Sequence, residues 1–360
     1  MSLDRILIIV MAIFSAIGGL DRIFGNRLKL GQSFENGFRT MGDLALCMVG
    51  MMVLSPLLAD VLQPVIVPVY GFLGADPAIF VGTILPGDMG GAQLAYDMAG
   101  SREAGQLGGI ITSFMLGGTV AFTIPVAMSV LQPQDRAYGA KGILCGVITI
   151  PVGTVAGGLT AGFGVGMVLS NSVPIILISA LIALGLWKAE KALIKGFMIF
   201  GKCIVAVATV GLVAAGVERT TGFVLIEGLG SLDEALIVVG EIAVVLSGAF
   251  PLIAVLTILL RRPLEKVGQW MGINSVSVSG LLASMANSLA TFDLVKDMDV
   301  RGKIVNMAFA VSGAFVFGDH LAFTAGFDAE LIPALIVGKL CAAATSVAIA
   351  LLITREKKNV

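Results

Sequence analysis

Four side chains able to hold a small organic cation fall within the segment Thr-Ile-Leu-Pro-Gly-Asp-Met-Gly-Gly-Ala-Gln-Leu-Ala-Tyr-Asp, residues 83–97. Asp88 and Asp97 supply negative charge, Gln93 an amide for a hydroxyl, and Tyr96 a ring face for an ammonium. The segment is too apolar for a water-exposed loop and too broken for an ordinary membrane helix. Pro86 removes a helix hydrogen bond, and Gly87, Gly90 and Gly91 free the backbone. Polar, discontinuous backbone survives at bilayer depth only where protein buries it or a cavity bathes it. A carboxylate there costs roughly 2.5–3.5 kcal/mol, so it serves a site or a partner. For Asp88 the competing role is capping a half-helix.

Further candidates lie downstream. Asn287 lies in a second broken stretch, 272–294, in a region matching that of Gln93; the stretch also carries Gly280, Ser284, Ser288 and Asp293. Both amides can bond a hydroxyl or staple their own element. Asp97 and Asp293 stand near element ends, where solvation competes with a coupling or gating role. Tyr96 and its counterpart Phe292 can face a cation or simply pack. Glu241 is alone in the apolar run 238–246 and reads either as a substrate counterion or as the partner of Lys202 or Lys339. Asp319 and His320 follow a glycine-bounded stretch, 313–318, and His320 is the only histidine of the chain. Histidine titrates near neutrality, which makes it the group to suspect in proton coupling. Asn171 beside Pro174 reads as a structural turn residue.

Composition sets what must position these groups. The 360 residues are 57% hydrophobic and 13% charged, with a mean hydropathy of +0.99. Soluble domains carry about 25% charge, so the chain is an all-α polytopic membrane protein. A net charge of −1 gives nucleic acid nothing to bind. Cys47, Cys145, Cys203 and Cys341 are scattered in apolar runs, with neither metal-ligand spacing nor a disulfide pattern. No cofactor is implied. Spans are read at about 6–20, 42–62, 105–131, 142–168, 174–187, 197–217, 235–260, 304–326 and 331–353, with a proline-rich stretch at 63–75. The broken elements occupy about 77–99 and 272–294.

Charge asymmetry fixes the topology. If both broken elements are re-entrant hairpins, eighteen of the 23 lysines and arginines lie on one side and only Arg5, Arg102 and Arg219 on the other, with Lys202 and Lys339 inside spans. If both elements cross fully, the division falls to twelve against nine. The reading is therefore about nine crossings plus two hairpins, with the tail Arg355-Glu-Lys-Lys358 cytoplasmic. Five spans separate the hairpins, so they enter from opposite sides. At an offset of 195, Phe114, Gly118 and Phe122 match Phe309, Gly313 and Phe317; at 196, Asp97 matches Asp293. Residues 77–131 and 272–326 thus read as the cores of an inverted repeat within one transport domain, 1–360, whose site lies where the broken helices meet.

The segments 82–97, Asn287-Ser-Leu-Ala-Thr-Phe-Asp293 and Phe317-Gly-Asp-His320 resemble those of the EutH family of bacterial ethanolamine permeases, and the resemblance spans essentially the whole chain. It implies transport of ethanolamine across the inner membrane, supplying a catabolic pathway. It brings no assigned substrate residues, so the site rests on the residues above: Asp88, Gln93, Tyr96, Asn287, Asp319 and Glu241 for substrate, with Asp97, Asp293 and His320 for coupling or gating. The hairpin arrangement also resembles concentrative nucleoside transporters, a likeness of architecture that suggests a homo-oligomer, with a trimer as its form. Another small cation or a nucleoside-like solute is the alternative cargo. An intramembrane hydrolase or lipid transferase needs a nucleophile and base on neighbouring spans, and no serine or cysteine motif accompanies His320.

Overall fold

The computed structural model describes residues 3–354, with the side chains at positions 3, 4, 260–262 and 264 outside that description. The basic tail read as cytoplasmic also lies outside it. Every regular element among the described residues is helical. In chain order they are α1 (Leu3–Ile23), α2 (Leu30–Phe72), α3 (Ala78–Ile84), α4 (Gly91–Met98), α5 (Arg102–Val130), α6 (Arg136–Thr160), α7 (Val165–Lys188), α8 (Glu190–Thr221), α9 (Leu232–Met271), α10 (Ser275–Ala286), α11 (Ser288–Leu294), α12 (Val300–Gly313), α13 (Asp319–Phe327) and α14 (Ile332–Ile353). Eight helices are long and apolar enough to cross a membrane: α1, α2, α5 to α9, and α14 extended by its preceding turn.

Three stretches depart from the sequence reading. The proline-rich stretch 63–75 is mostly helix, because α2 runs 43 residues through Pro56, Pro64 and Pro68. In an apolar surround, neighbouring helices and local adjustment re-satisfy the groups that proline frees, so the helix continues past them. The run 304–326 is two helices, not one. Residues 314–318 are non-helical, with Phe315 left-handed at φ 59°. The backbone lost from the helix is recovered elsewhere: Phe315 and Phe317 N–H donate to the Ser284 and Met285 carbonyls at 2.9 and 3.0 Å. Asn171 lies inside α7, not in a turn. Its Oδ1 accepts from the Asp76 N–H at 2.7 Å while its Nδ2 donates to the Met167 carbonyl.

The two broken elements are built alike. In the first, Leu85 and Pro86 are extended, residues 87–89 form a tight turn, and Gly90 at φ 85° redirects the chain into α4. A Cβ on Gly90 would stand 2.2 Å from the Met51 Cβ, so glycine meets both a conformational and a steric demand. In the second, a single extended residue, Asn287, separates α10 from α11 and caps α11 by accepting from the Leu289 N–H at 2.8 Å. An aspartate clasps the base of each. Asp76 accepts from the N–H groups of Ala78 and Gly100, both at 2.9 Å, one at each end of the first element. Asp299 accepts from the Asn274 N–H at 2.8 Å and the Gly302 N–H at 3.1 Å around the second.

Helix α5 is wound with wide, π-type turns over 107–117 and 119–123. Glycines bring its backbone against the first broken element: a Cβ on Gly108 would lie 2.5 Å from the Ala78 carbonyl, and one on Gly117 2.1 Å from that of Leu85. Such close approach is how helices associate where no hydrophobic drive separates protein from lipid.

Candidate functional site

The tip of the first broken element and the interruption between α12 and α13 meet at a cavity of about 180 Å³. Asp88 and Met89 enter from the first. Asn287 enters from the second element, Asp319 and His320 from the start of α13, Phe114 and Phe122 from the π-wound α5, and Lys339 from α14. Thus four sequence candidates, Asp88, Asn287, Asp319 and His320, are brought together from positions up to 232 residues apart. A water occupies about 30 Å³ of liquid, so the space suits a solute of a few heavy atoms.

A second cavity, of about 360 Å³, is lined by Thr40, Asp43, Cys47 and Phe250 together with Asp88, Met89, Asn287 and Asp319. Those last residues therefore form a wall common to both cavities. Of the second cavity's lining residues, Asp43 is exposed.

The wall is chemically sharp. Among the described residues neither the Asp88 nor the Asp319 carboxylate makes an ion pair within 4 Å, yet Asp319 feels the charge of Asp88 and Asp88 feels that of Lys339. His320 is only 7% exposed, and among the described residues its Nδ1 has no hydrogen-bond partner. Its ring lies between Phe114, at 4.2 Å centroid to centroid, and Phe315, at 5.0 Å, with Phe122 5.8 Å beyond Phe315. Aromatic faces beside unpaired carboxylates suit an organic cation. Asn287 uses its Oδ1 as a cap, leaving Nδ2 for an oxygen of a bound solute.

The other candidates stand apart from this cavity. Gln93 donates to Asp97 Oδ1 at 2.9 Å, and Asp97 Oδ2 accepts from the Ser55 hydroxyl at 2.6 Å, so this pair ties α4 to α2. The Tyr96 hydroxyl donates to Asp328 Oδ2 at 2.8 Å, an oxygen shared with Gln106, and its ring packs edge-on to Phe327. Asp293 and Glu241 are exposed on the outside of the helix assembly. Glu241 pairs with neither Lys202, itself exposed, nor Lys339. Sequence reasoning did not select Asp43, the three phenylalanines or Lys339 as site residues. The phenylalanines had a signal: Phe114 and Phe122 are two helical turns apart on one face.

A profile of the family described as "Ethanolamine utilisation protein, EutH" matches residues 3–353. The "Probable ethanolamine permease EutH" of Listeria monocytogenes is 49% identical over 361 aligned positions, covering 100% of this chain and 97% of that protein. The protein of the same name from Salmonella typhimurium is 40% identical over 98% of this chain and 96% of its own length. "Uncharacterized protein YxeR" of Bacillus subtilis is 42% identical over 97% of this chain and 95% of its own length. No solved structure matches the chain.

Proposed function

The chain belongs to the EutH family, and on that premise we propose that it carries protonated ethanolamine across a bacterial inner membrane. The observation that carries this reading is the wall between the two cavities. It presents Asp88 and Asp319, without an ion pair among the described residues, to both. The travelling ammonium sits against these carboxylates and the ring faces of Phe114, Phe122 and Phe315. The Asn287 Nδ2 donates to the hydroxyl. Because one set of residues bounds both cavities, the solute passes from one to the other without leaving its counter-charges.

The clasps at Asp76 and Asp299 support reading 77–99 and 272–294 as re-entrant hairpins that begin and end on one face of the membrane. Helices α12 and α13 together then make a ninth crossing, and the positive charges place the C-terminus in the cytoplasm. The interruption at 314–318 lies 195 residues after the π-wound stretch 119–123, which supports the inverted repeat. Rocking of one repeat against the other exposes the site alternately. The hairpin architecture supports a homo-oligomer, such as a trimer, like that of nucleoside transporters.

An alkylammonium has a pKa of about 10, so the neutral form that leaks through lipid falls about tenfold per pH unit below it. A protein path matters most in acid. The test is uptake of labelled ethanolamine into proteoliposomes at acidic pH. Saturable uptake supports the reading, and uptake equal to that of empty liposomes overturns it. The aromatic lining and the room beyond four heavy atoms favour, as a second reading, another small cation; competition by N-methylated ethanolamines against ethanolamine separates the two.

A further inference from the structure

Lys339 is among the largest fully buried side chains of the protein, at 1% exposure, and it lines the same cavity as Asp88 and Asp319. Its Nζ donates to the Phe114 carbonyl at 2.8 Å, on the π-wound stretch of α5. Among the described residues it makes no ion pair. A lysine at this depth is costly and is retained for a partner or a task.

The chemistry of its head group is informative. A lysine side chain ends in a primary alkylammonium, the same group that protonated ethanolamine carries. The cavity therefore already contains one copy of the cation it is proposed to bind, fixed to the protein by a stem of four carbons. Counted formally, with Asp88 and Asp319 as carboxylates, Lys339 as an ammonium and His320 as a neutral imidazole, the lining carries two negative charges against one positive. One further monovalent cation brings it to neutrality. A divalent cation, or a monovalent solute accompanied by a metal ion, overshoots.

Resting on the proposed ethanolamine site, we propose that Lys339 is a resident ammonium occupying the place of a coupling ion, so that one monovalent alkylammonium is the whole cationic load per cycle. Two properties follow. Transport needs neither Na⁺ nor K⁺. Diamines carrying two charges are excluded, because the second ammonium finds its position taken.

The test replaces Lys339 by glutamine, which removes the charge but keeps an N–H donor facing the Phe114 carbonyl on a stem one bond shorter. The probe is 1,3-diaminopropane, doubly protonated at neutral pH, competing with labelled ethanolamine for the purified, reconstituted protein. In the wild type the diamine competes weakly. In Lys339→Gln its potency relative to ethanolamine rises roughly tenfold or more, the size of one charge-assisted hydrogen bond. An unchanged ratio overturns the proposal, as does a folded variant that binds neither compound. Lys339→Arg retains the charge and should retain the exclusion. Should the glutamine variant fail to fold, the wild type decides: uptake indifferent to imposed Na⁺ and K⁺ gradients supports the resident ion, and uptake that requires either overturns it. Saturable wild-type uptake with an unchanged diamine ratio removes this inference alone, whereas absence of saturable uptake removes the ethanolamine site itself.

Discussion

The first broken element with α5, and the second with α12 and α13, reach the cavity by different means. The first breaks over several residues, 85–90, and brings its carboxylate, Asp88, from the break itself. Its following helix stays continuous but widens into π turns and contributes rings. The second breaks at one residue, Asn287, and brings only an amide. Its following segment is cut outright at 314–318, and the cut delivers the carboxylate Asp319 at the start of α13. Similar frameworks thus divide the chemistry in opposite ways, one placing its charge on the short element and the other on the long one. Breaking a backbone is what lets a carboxylate reach the interior, wherever the break happens to fall.

The sharpest test of this difference removes each charge. Asp88→Asn should lower ethanolamine uptake efficiency by roughly a hundredfold or more, as truncating one partner of a desolvated charge pair does. Asp319→Asn should cost nearer tenfold, because the N-terminal amides of α13 already offset part of its charge. Equal losses in concentration-dependent uptake would make the two carboxylates interchangeable and end the contrast.

The breaks themselves should differ in stability. Gly90→Ala demands a left-handed alanine and a contact with Met51, which together cost about 2–4 kcal/mol. Asn287→Ala loses a single cap, worth about 1 kcal/mol. Thermal unfolding of the purified variants should rank them in that order. Tyr96→Phe deletes the hydroxyl bonded to Asp328 and should cost about 1 kcal/mol of stability with the half-saturation for uptake unchanged; a raised half-saturation would place Tyr96 on the substrate path after all. Smallest of all, Gln93→Ala should leave uptake within about twofold, since its amide serves Asp97 and not the cavity.

The sequence made the first break legible through Pro86 and its glycines, and the second through Gly280 and Asn287. The cut at 314–318 was not legible as a break. Its interior, Ala-Phe-Val-Phe, is as apolar as a helix core, and the bonds that compensate it come from Ser284 and Met285, thirty residues away. The wide winding of α5 had no sequence signature either. At the candidate site, Asp88, Asn287, Asp319 and His320 are legible in the sequence because isolated polar groups in apolar runs need a reason, and they line one cavity. Gln93, Tyr96 and Asp97 were grouped with Asp88 by proximity in sequence, yet once Gly90 turns the chain, α4 presents them to α2 and to Asp328 instead. Glu241 had the same isolation as Asp319 but lies on an exposed face, a distinction of helix phase that an all-apolar span does not reveal. Lys339 is one of two lysines the sequence offers as an alternative partner for Glu241, yet its Nζ donates to a main-chain carbonyl.

The wall shared by the two cavities also has an electrical consequence. On the proposed transport path, electrolyte filling the cavity that joins exposed Asp43 to Asp88 and Asp319 would carry little of the transmembrane voltage. The voltage is instead concentrated across the thin protein layer that remains. A cation displaced by only a few ångströms there traverses much of the field, which is worth about 2.3 kcal/mol per charge for each 100 mV crossed in full. If the chain carries the ammonium as proposed, a short step past these carboxylates would be driven inward by an interior-negative potential, with no need for a long journey through the lipid's thickness.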